Sequence, residues 1–324
     1  RSFSGLSTVL SLLAFTLSLQ AILVAAQDYP TRPIRMIIPT SPGGASDVLG
    51  RLIAQRLSET FGQQVVSDNR AGASNTIGVA LVAKAPPDGY TLGISAASLA
   101  VNPSMFRKLP YDTLTEIAPV TRIAEGPFMI LLHPSVPAKT VKALIALART
   151  RPDALAIASS GLGTTPHLAG ELFNSMAGVK ILQVLYKGTG QAFTSLLSGE
   201  IAITYASPVA ASHFVKAGKL RALAVTSKAR AKAYADVPTV AETLPGYEAI
   251  QWFGVFTTGG TPRPVIDKLS QTIVKILREP AMANRLTNEG MEVVAGTPEE
   301  FMATLKLEMP KWAKVIKAMR ITLE

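Results

Sequence analysis

Thr40-Ser41-Pro42-Gly43-Gly44-Ala45-Ser46-Asp47 follows the apolar run Ile34 to Ile38 and precedes Val48, Leu49, Leu52, Ile53 and Leu57, which keep helical spacing. A buried strand, a glycine turn and an amphipathic helix make one βα unit of an α/β fold. Gly43 and Gly44 let the backbone take φ values barred to other residues and approach a ligand closely. Ser46 or Asp47 is placed to cap the helix. The free N–H groups at the helix start, with the positive end of its dipole, make an anion site.

The alternation continues outward from this unit. Val65 and Val66 suggest a strand, Ile77 to Ala85 a helix, Pro86-Pro87-Asp88-Gly89 a turn, and Tyr90 to Ile94 a strand. From about Val136 the pattern restarts, with a helix over Val141 to Ala148 and a strand over Ala154 to Ala158. That strand runs into Ser159-Ser160-Gly161-Leu162-Gly163-Thr164-Thr165-Pro166 and a helix containing His167 to Met176. Here Thr165 suits the N-cap and Pro166 the first helical position. Tyr186-Lys187-Gly188-Thr189-Gly190 is a third, weaker turn of the same kind between the strand Ile181–Leu185 and a helix at Ala192–Leu197. Strands Ile201–Tyr205 and Leu220–Thr226 flank a helix ending at Val215–Lys219; later helices cover Val265–Leu277 and Glu299–Met319.

Two α/β domains follow, and apolar crossing segments near Phe128–Leu132 and Trp252–Phe256 predict that one is inserted in the other. The expected division is residues 28–127 plus 253–324 for the first domain and 128–252 for the second. Open α/β sheets bind ligands outside the carboxyl ends of their strands, so the two glycine turns, one per domain, are expected to face each other across a cleft. The alternative is that each turn is only a good helix cap.

The chain has 324 residues, no cysteine and a formal charge of +10. Disulfides, thiolate metal sites and a thiol nucleophile are thereby excluded. The cations, such as Arg221, Lys228, Arg230 and Lys232, are scattered and seldom interleaved with aromatics, so nucleic acid is not an expected partner. Arg1 is the only charge before Asp28, and an apolar or small-residue run from Leu6 to Ala25 ends at Val24-Ala25-Ala26. Residues 1–26 thus read as a cleavable secretory signal, which implies a periplasmic location; an uncleaved membrane anchor is the rival reading.

Catalytic constellations are weak. His133, His167 and His213 form no metal-binding spacing, Ser160 sits in no G-x-S-x-G elbow, and Gly161-Leu162-Gly163 lacks the rest of a dinucleotide or P-loop fingerprint. Asp47 has no evident acid partner, and His167 reads as either a cleft residue or a local packing residue. No cofactor and no metal are expected. Magnitudes favour a carboxylate ligand. Hydrogen bonds to a charged group contribute roughly 1.5–3 kcal/mol each, and a helix terminus adds about 0.3–1 kcal/mol. Two or three amides at each end of a diacid therefore suffice for a micromolar Kd, about −8 kcal/mol.

Several short segments, in one order along the chain, resemble the extracytoplasmic receptors of tripartite tricarboxylate transporters, the Bug family. They include Tyr29-Pro30-Thr31-Arg32-Pro33-Ile34, Pro42-Gly43-Gly44 with Asp47, Asn69-Arg70 with Gly72, and Pro87-Asp88-Gly89-Tyr90-Thr91-Leu92. Asn102-Pro103, Leu109-Pro110-Tyr111-Asp112, His167 to Phe173, Tyr186-Lys187-Gly188, Ala217 to Thr226 and Asp236-Val237-Pro238-Thr239 complete the set. The resemblance implies a two-domain periplasmic-binding-protein fold that closes like a flytrap and acts as a monomeric receptor, not an enzyme. It implies that Ser41, Gly43, Gly44, Ala45, Ser46 and Asp47 grip one carboxylate, partly through waters. Ser95, Ala97 and Ser98, with Ser160, Gly163, Thr164, Thr165 and His167, would hold the rest of the ligand. The implied partner is a membrane permease; a sensor kinase is the alternative, and a periplasmic hydrolase a more distant one. Many relatives carry Asp where this chain has Ala206, beside Ser207. Without that carboxylate, an unsubstituted or apolar-tailed mono- or dicarboxylate is expected over an amino acid.

Overall fold

The computed structural model describes residues 29–151 and 155–319, so the expected signal segment lies outside the described residues. Strand β1 (Ile34–Ile38) pairs in parallel with β2 (Val65–Asn69) and β3 (Thr91–Ala96). Its Ile34, Met36, Ile37 and Ile38 are all buried, as an apolar run covered on both faces requires. Two long strands, β4 (Ile117–Pro127) and β10 (Ile250–Thr258), extend this sheet by antiparallel pairing, and the short β11 (Glu292–Val293) closes its edge. The order is β11-β4-β10-β3-β1-β2.

The second sheet has the order β7-β6-β8-β5-β9. Its strands are β5 (Met129–Leu132), β6 (Ala156–Ser159), β7 (Leu182–Leu185), β8 (Ile203–Ala206) and β9 (Arg221–Val225). Strand β6 is parallel to β7 and β8, whereas β5 is antiparallel to β8 and β9. The run β7-β6-β8-β5-β9 therefore repeats the pairing of β2-β1-β3-β10-β4, with β6 in the place of β1 and β5 in that of β10.

Helices cover both sheets. In the first lobe they are α1 (Ala45–Phe61), α2 (Thr76–Ala83) and α3 (Ser98–Met105), joined after β10 by α8 (Arg263–Arg278), α9 (Pro280–Asn288) and α10 (Pro298–Met319). The second lobe carries α4 (Val141–Thr150), α5 (Thr165–Ala177), α6 (Thr189–Leu197) and α7 (Pro208–Lys216). On α1, Leu49, Ile53 and Leu57 at four-residue spacing are each no more than 1% exposed, and such burial stabilises by about 1.5–3 kcal/mol per side chain. Phe173 of α5 packs edge-on against Tyr247 at 6.4 Å in the second core.

The chain crosses between lobes twice, from β4 directly into β5 and again into β10. Thr226 ties these crossings together. Its Oγ1 accepts the Phe128 N–H at 2.7 Å, its N–H donates to the Phe128 carbonyl at 3.0 Å, and its carbonyl accepts the Ala249 N–H at 2.9 Å. Gln251 adds a bond from Nε2 to the Pro127 carbonyl at 2.9 Å. The second crossing enters β10 at Ile250.

Candidate ligand-binding cleft

The carboxyl ends of β1, β3, β6, β7 and β8 all lead into helices whose first residues line one crevice between the lobes: Gly44 to Ser46, Ser98, Thr164 to Pro166, Thr189 and Ser207. Thr40, Asn75, Ala96, Phe128, Ser160, Ala206, Gln251 and Phe253 complete the wall. None of these side chains is ionisable. The crevice encloses about 50 Å³, room for a handful of waters at roughly 10–15 Å³ each.

The first glycine turn is braced from behind. Gly44, with φ −83° and ψ 167°, is the N-cap of α1, and no side chain caps that helix. Ser46 is already helical. Asp47 is buried, and its Oδ2 accepts the Gly43 N–H at 3.0 Å; its Oδ1 accepts Arg51 Nε and Asn69 Nδ2, both at 2.9 Å. The carboxylate therefore stitches the turn to β2 and to its own helix. With the Gly43 N–H consumed, the N–H groups of Gly44, Ala45 and Ser46 at the start of α1 are left without an acceptor among the described residues. The Thr40 hydroxyl, buried at the cleft wall, has no protein partner either, and an unmade bond of that kind costs about 1–3 kcal/mol.

The turn after β6 is built differently. Thr164, not Thr165, is the N-cap of α5, with Pro166 one position further in than the sequence spacing suggests. Thr164 Oγ1 donates to the Gly161 carbonyl at 2.7 Å and lies 3.1 Å from Ser160 Oγ. His167 sits beneath this turn, 4% exposed, and its Nδ1 accepts the Gly163 N–H at 3.4 Å. Burial pulls its pKa down to about 4, so the ring is neutral and acts as an acceptor.

The lobes touch reciprocally in front of the crevice. The turn after β1 meets the turn after β7, and the turn after β2 meets the turn after β6. A methyl group on Gly190 would lie 2.0 Å from the Pro42 carbonyl oxygen, and one on Gly188, at φ +146°, would lie 2.3 Å from Ser41 Oγ. Only glycine allows this approach. On the other side, Ser74 Oγ donates to the Leu162 carbonyl at 2.5 Å. The residues Ala73, Ser74 and Asn75 all have positive φ, at 42°, 52° and 76°. Strain of this kind persists only where the surroundings hold it. Here Asn102 Nδ2 donates to the Ser74 carbonyl at 3.0 Å and Asn75 Nδ2 to Ser98 Oγ at 3.1 Å.

Of the residues expected at the site, Gly44, Ala45, Ser46, Ser98, Ser160, Thr164, Thr165, Ala206 and Ser207 line the crevice. Ser41, Gly43, Asp47, Ser95, Ala97, Gly163 and His167 lie outside its lining, in the turns and helix starts that shape it. Ser95 Oγ, for example, is 3.2 Å from Ser98 Oγ, and Ser41 is at the contact with Gly188. Thr189 could have been found from the Tyr186–Gly190 turn. Phe128, Gln251 and Phe253 belong to the crossing segments, where the sequence signals a connection and gives no sign of a ligand wall.

Two lobes of matching topology, joined by two crossing strands, with uncharged helix starts facing one another, define a two-domain solute-binding protein. The family model described as tripartite tricarboxylate transporter family receptor matches residues 49–321, and the chain belongs to that family. It is 37% identical to the protein BugT of Bordetella pertussis over 297 residues, covering 91% of each chain. It is also 37% identical over 295 residues to a UPF0065 protein of Pseudomonas sp. strain P51, covering 90% of this chain and 88% of that one. Among solved structures, Rpa4515 of R. palustris with adipate has a TM-score of 0.87 at 38% identity, covering 91% of this chain and 99% of its own. The periplasmic binding protein BugD has a TM-score of 0.88 at 31% identity, with coverage of 91% and 100%. MatC from Rhodopseudomonas palustris with bound malate has a TM-score of 0.84 at 28% identity, with coverage of 89% and 100%.

Proposed function

We propose that this chain is a periplasmic receptor that closes on a small mono- or dicarboxylate and delivers it to the membrane subunits of a tripartite tricarboxylate-type transporter. The observation that carries this reading is the lining of the cleft: helix N-termini and hydroxyls from both lobes, and no ionisable side chain. Such a wall stabilises negative charge through oriented N–H groups. The adipate-bound and malate-bound relatives support the same ligand class.

The neutral wall also shapes selectivity. An ammonium group on the ligand would be buried with no carboxylate opposite it, which is costly. Phe128, Phe253, Ala96 and Ala206 offer apolar contact instead. Binding proceeds without turnover in this reading, since the lining holds no group that exchanges a proton near neutrality and His167 is committed to Gly163.

Thermal shift against mono-, di- and tricarboxylates, followed by calorimetric titration of the hits, tests the proposal, because a ligand raises the apparent stability of the state that binds it. Adipate-like acids are expected to bind in the micromolar range. Aspartate or glutamate binding far more tightly than unsubstituted acids would overturn the selectivity, and silence across all carboxylates would overturn the ligand class.

A further inference from the structure

Strand β10 separates two cavities. Gln251 and Phe253 point into the cleft, while Ile250 and Trp252, on the opposite face of the same strand, line a second cavity of about 400 Å³ behind it. This is the two-residue alternation of any strand. Thr165 at the start of α5 borders both spaces. One wall of the second cavity comes from the other lobe, through Leu168 and Leu172 of α5, and the facing wall from Leu307, Trp312 and Val315 of α10. Its volume is in the range of small-molecule sites, about 300–1,000 Å³.

Of the five charged groups at its border, Arg122, Glu125, Glu248 and Glu308 are engaged by protein partners, and the Lys311 ammonium lies 5.9 Å from the centre of the Trp312 ring. Glu308 Oε2 accepts both indole N–H groups, from Trp252 at 3.0 Å and Trp312 at 3.3 Å. Glu125 pairs with Arg122, and Glu248 with Lys228 at 3.2 Å. What the cavity offers an occupant is therefore mainly apolar surface, with both indole rings in its wall. We infer that it is a second binding site, for an uncharged aromatic or aliphatic molecule about the size of one substituted ring. Because its walls belong to different lobes, the site exists in this form only when the lobes are together. The inference does not rest on the ligand class assigned to the cleft.

The chain has two tryptophans, and both stand in this wall. Their fluorescence thus reports on the cavity directly. Titration of the full protein with bromobenzene, whose heavy atom quenches indole on contact, is expected to give saturable quenching, in contrast to the linear quenching of N-acetyltryptophanamide. The double variant Leu172→Phe/Val315→Phe, which fills the space, should raise the half-saturating concentration at least tenfold. Leu307→Arg, at a residue that is 75% exposed and can change without disturbing the core, should raise it by a smaller factor. Linear quenching in the native protein, or saturation unchanged in both variants, would overturn the site. Tighter saturation by 4-bromobenzoate that the filled variant abolishes would overturn the assignment to an uncharged ligand.

Discussion

Ser74, in a left-handed backbone conformation on the first lobe, donates its hydroxyl to the carbonyl of Leu162 on the second lobe at 2.5 Å. The bond exists only while the lobes are together, so its energy enters the closed state alone. Ser74→Ala is expected to weaken ligand binding by about 0.5–1.5 kcal/mol, roughly two- to twelvefold. The melting temperature of the ligand-free protein should move little. Calorimetry on the tightest carboxylate checks this; affinity within error of the native protein would detach the bond from ligand capture.

Gly190 gives a sharper test. Its added methyl would meet the Pro42 carbonyl oxygen at 2.0 Å, a backbone atom of the opposite lobe that cannot swing aside. Gly190→Ala should cost the closed state about 1–3 kcal/mol, a five- to 150-fold loss of affinity. Small-angle scattering should show the variant staying expanded at ligand concentrations that compact the native protein.

Asp47 separates scaffold from ligand contact. Its carboxylate holds Gly43, Arg51 and Asn69 and points away from the crevice. Asp47→Ala is expected to lower the unfolding free energy by about 1.5–3 kcal/mol, read by urea denaturation. Full stability with lost binding would instead place the carboxylate on the ligand.

His167 predicts a pH dependence. Its folded pKa, about 4, lies below the ordinary value of 6.5, so between these pH values the unfolded chain binds the extra proton. Stability therefore falls on acidification from pH 6.5 towards 4 and is unaffected by this ring above 6.5. At about 1.4 kcal/mol per pH unit the whole effect is about 3 kcal/mol. Subtracting the stability profile of His167→Gln from that of the native protein isolates it. A flat difference would mean the ring is solvated.

The βα units were legible because fully buried parallel strands read as apolar runs and their helices keep four-residue spacing. Strand β4 was not, since Pro119, Arg122 and Glu125 interrupt its pattern; it is recruited by pairing along β10 from Ile117 to Pro127, with register shifts that leave Val120 and Ile123 without partners on that strand. The glycine turns were legible as strand-to-helix turns, yet the division of labour within them was not. That Asp47 faces backwards follows from Arg51 one turn along α1 and Asn69 on the neighbouring strand, and only the folded register of β1 on β2 brings Asn69 there. The cap of α5 shifts to Thr164 because its hydroxyl reaches Gly161, a bond set by the tight backbone of that turn.

A grip made of main-chain N–H groups, as proposed for this cleft, bears on how such receptors diversify. Amides cannot be substituted, so the hold on negative charge survives almost any replacement of the side chains around it. Wall positions whose side chains make no structural bond, such as Ala206, are then free to vary, and descendants of this chain can acquire new cargo by exchanging them without first rebuilding the handle.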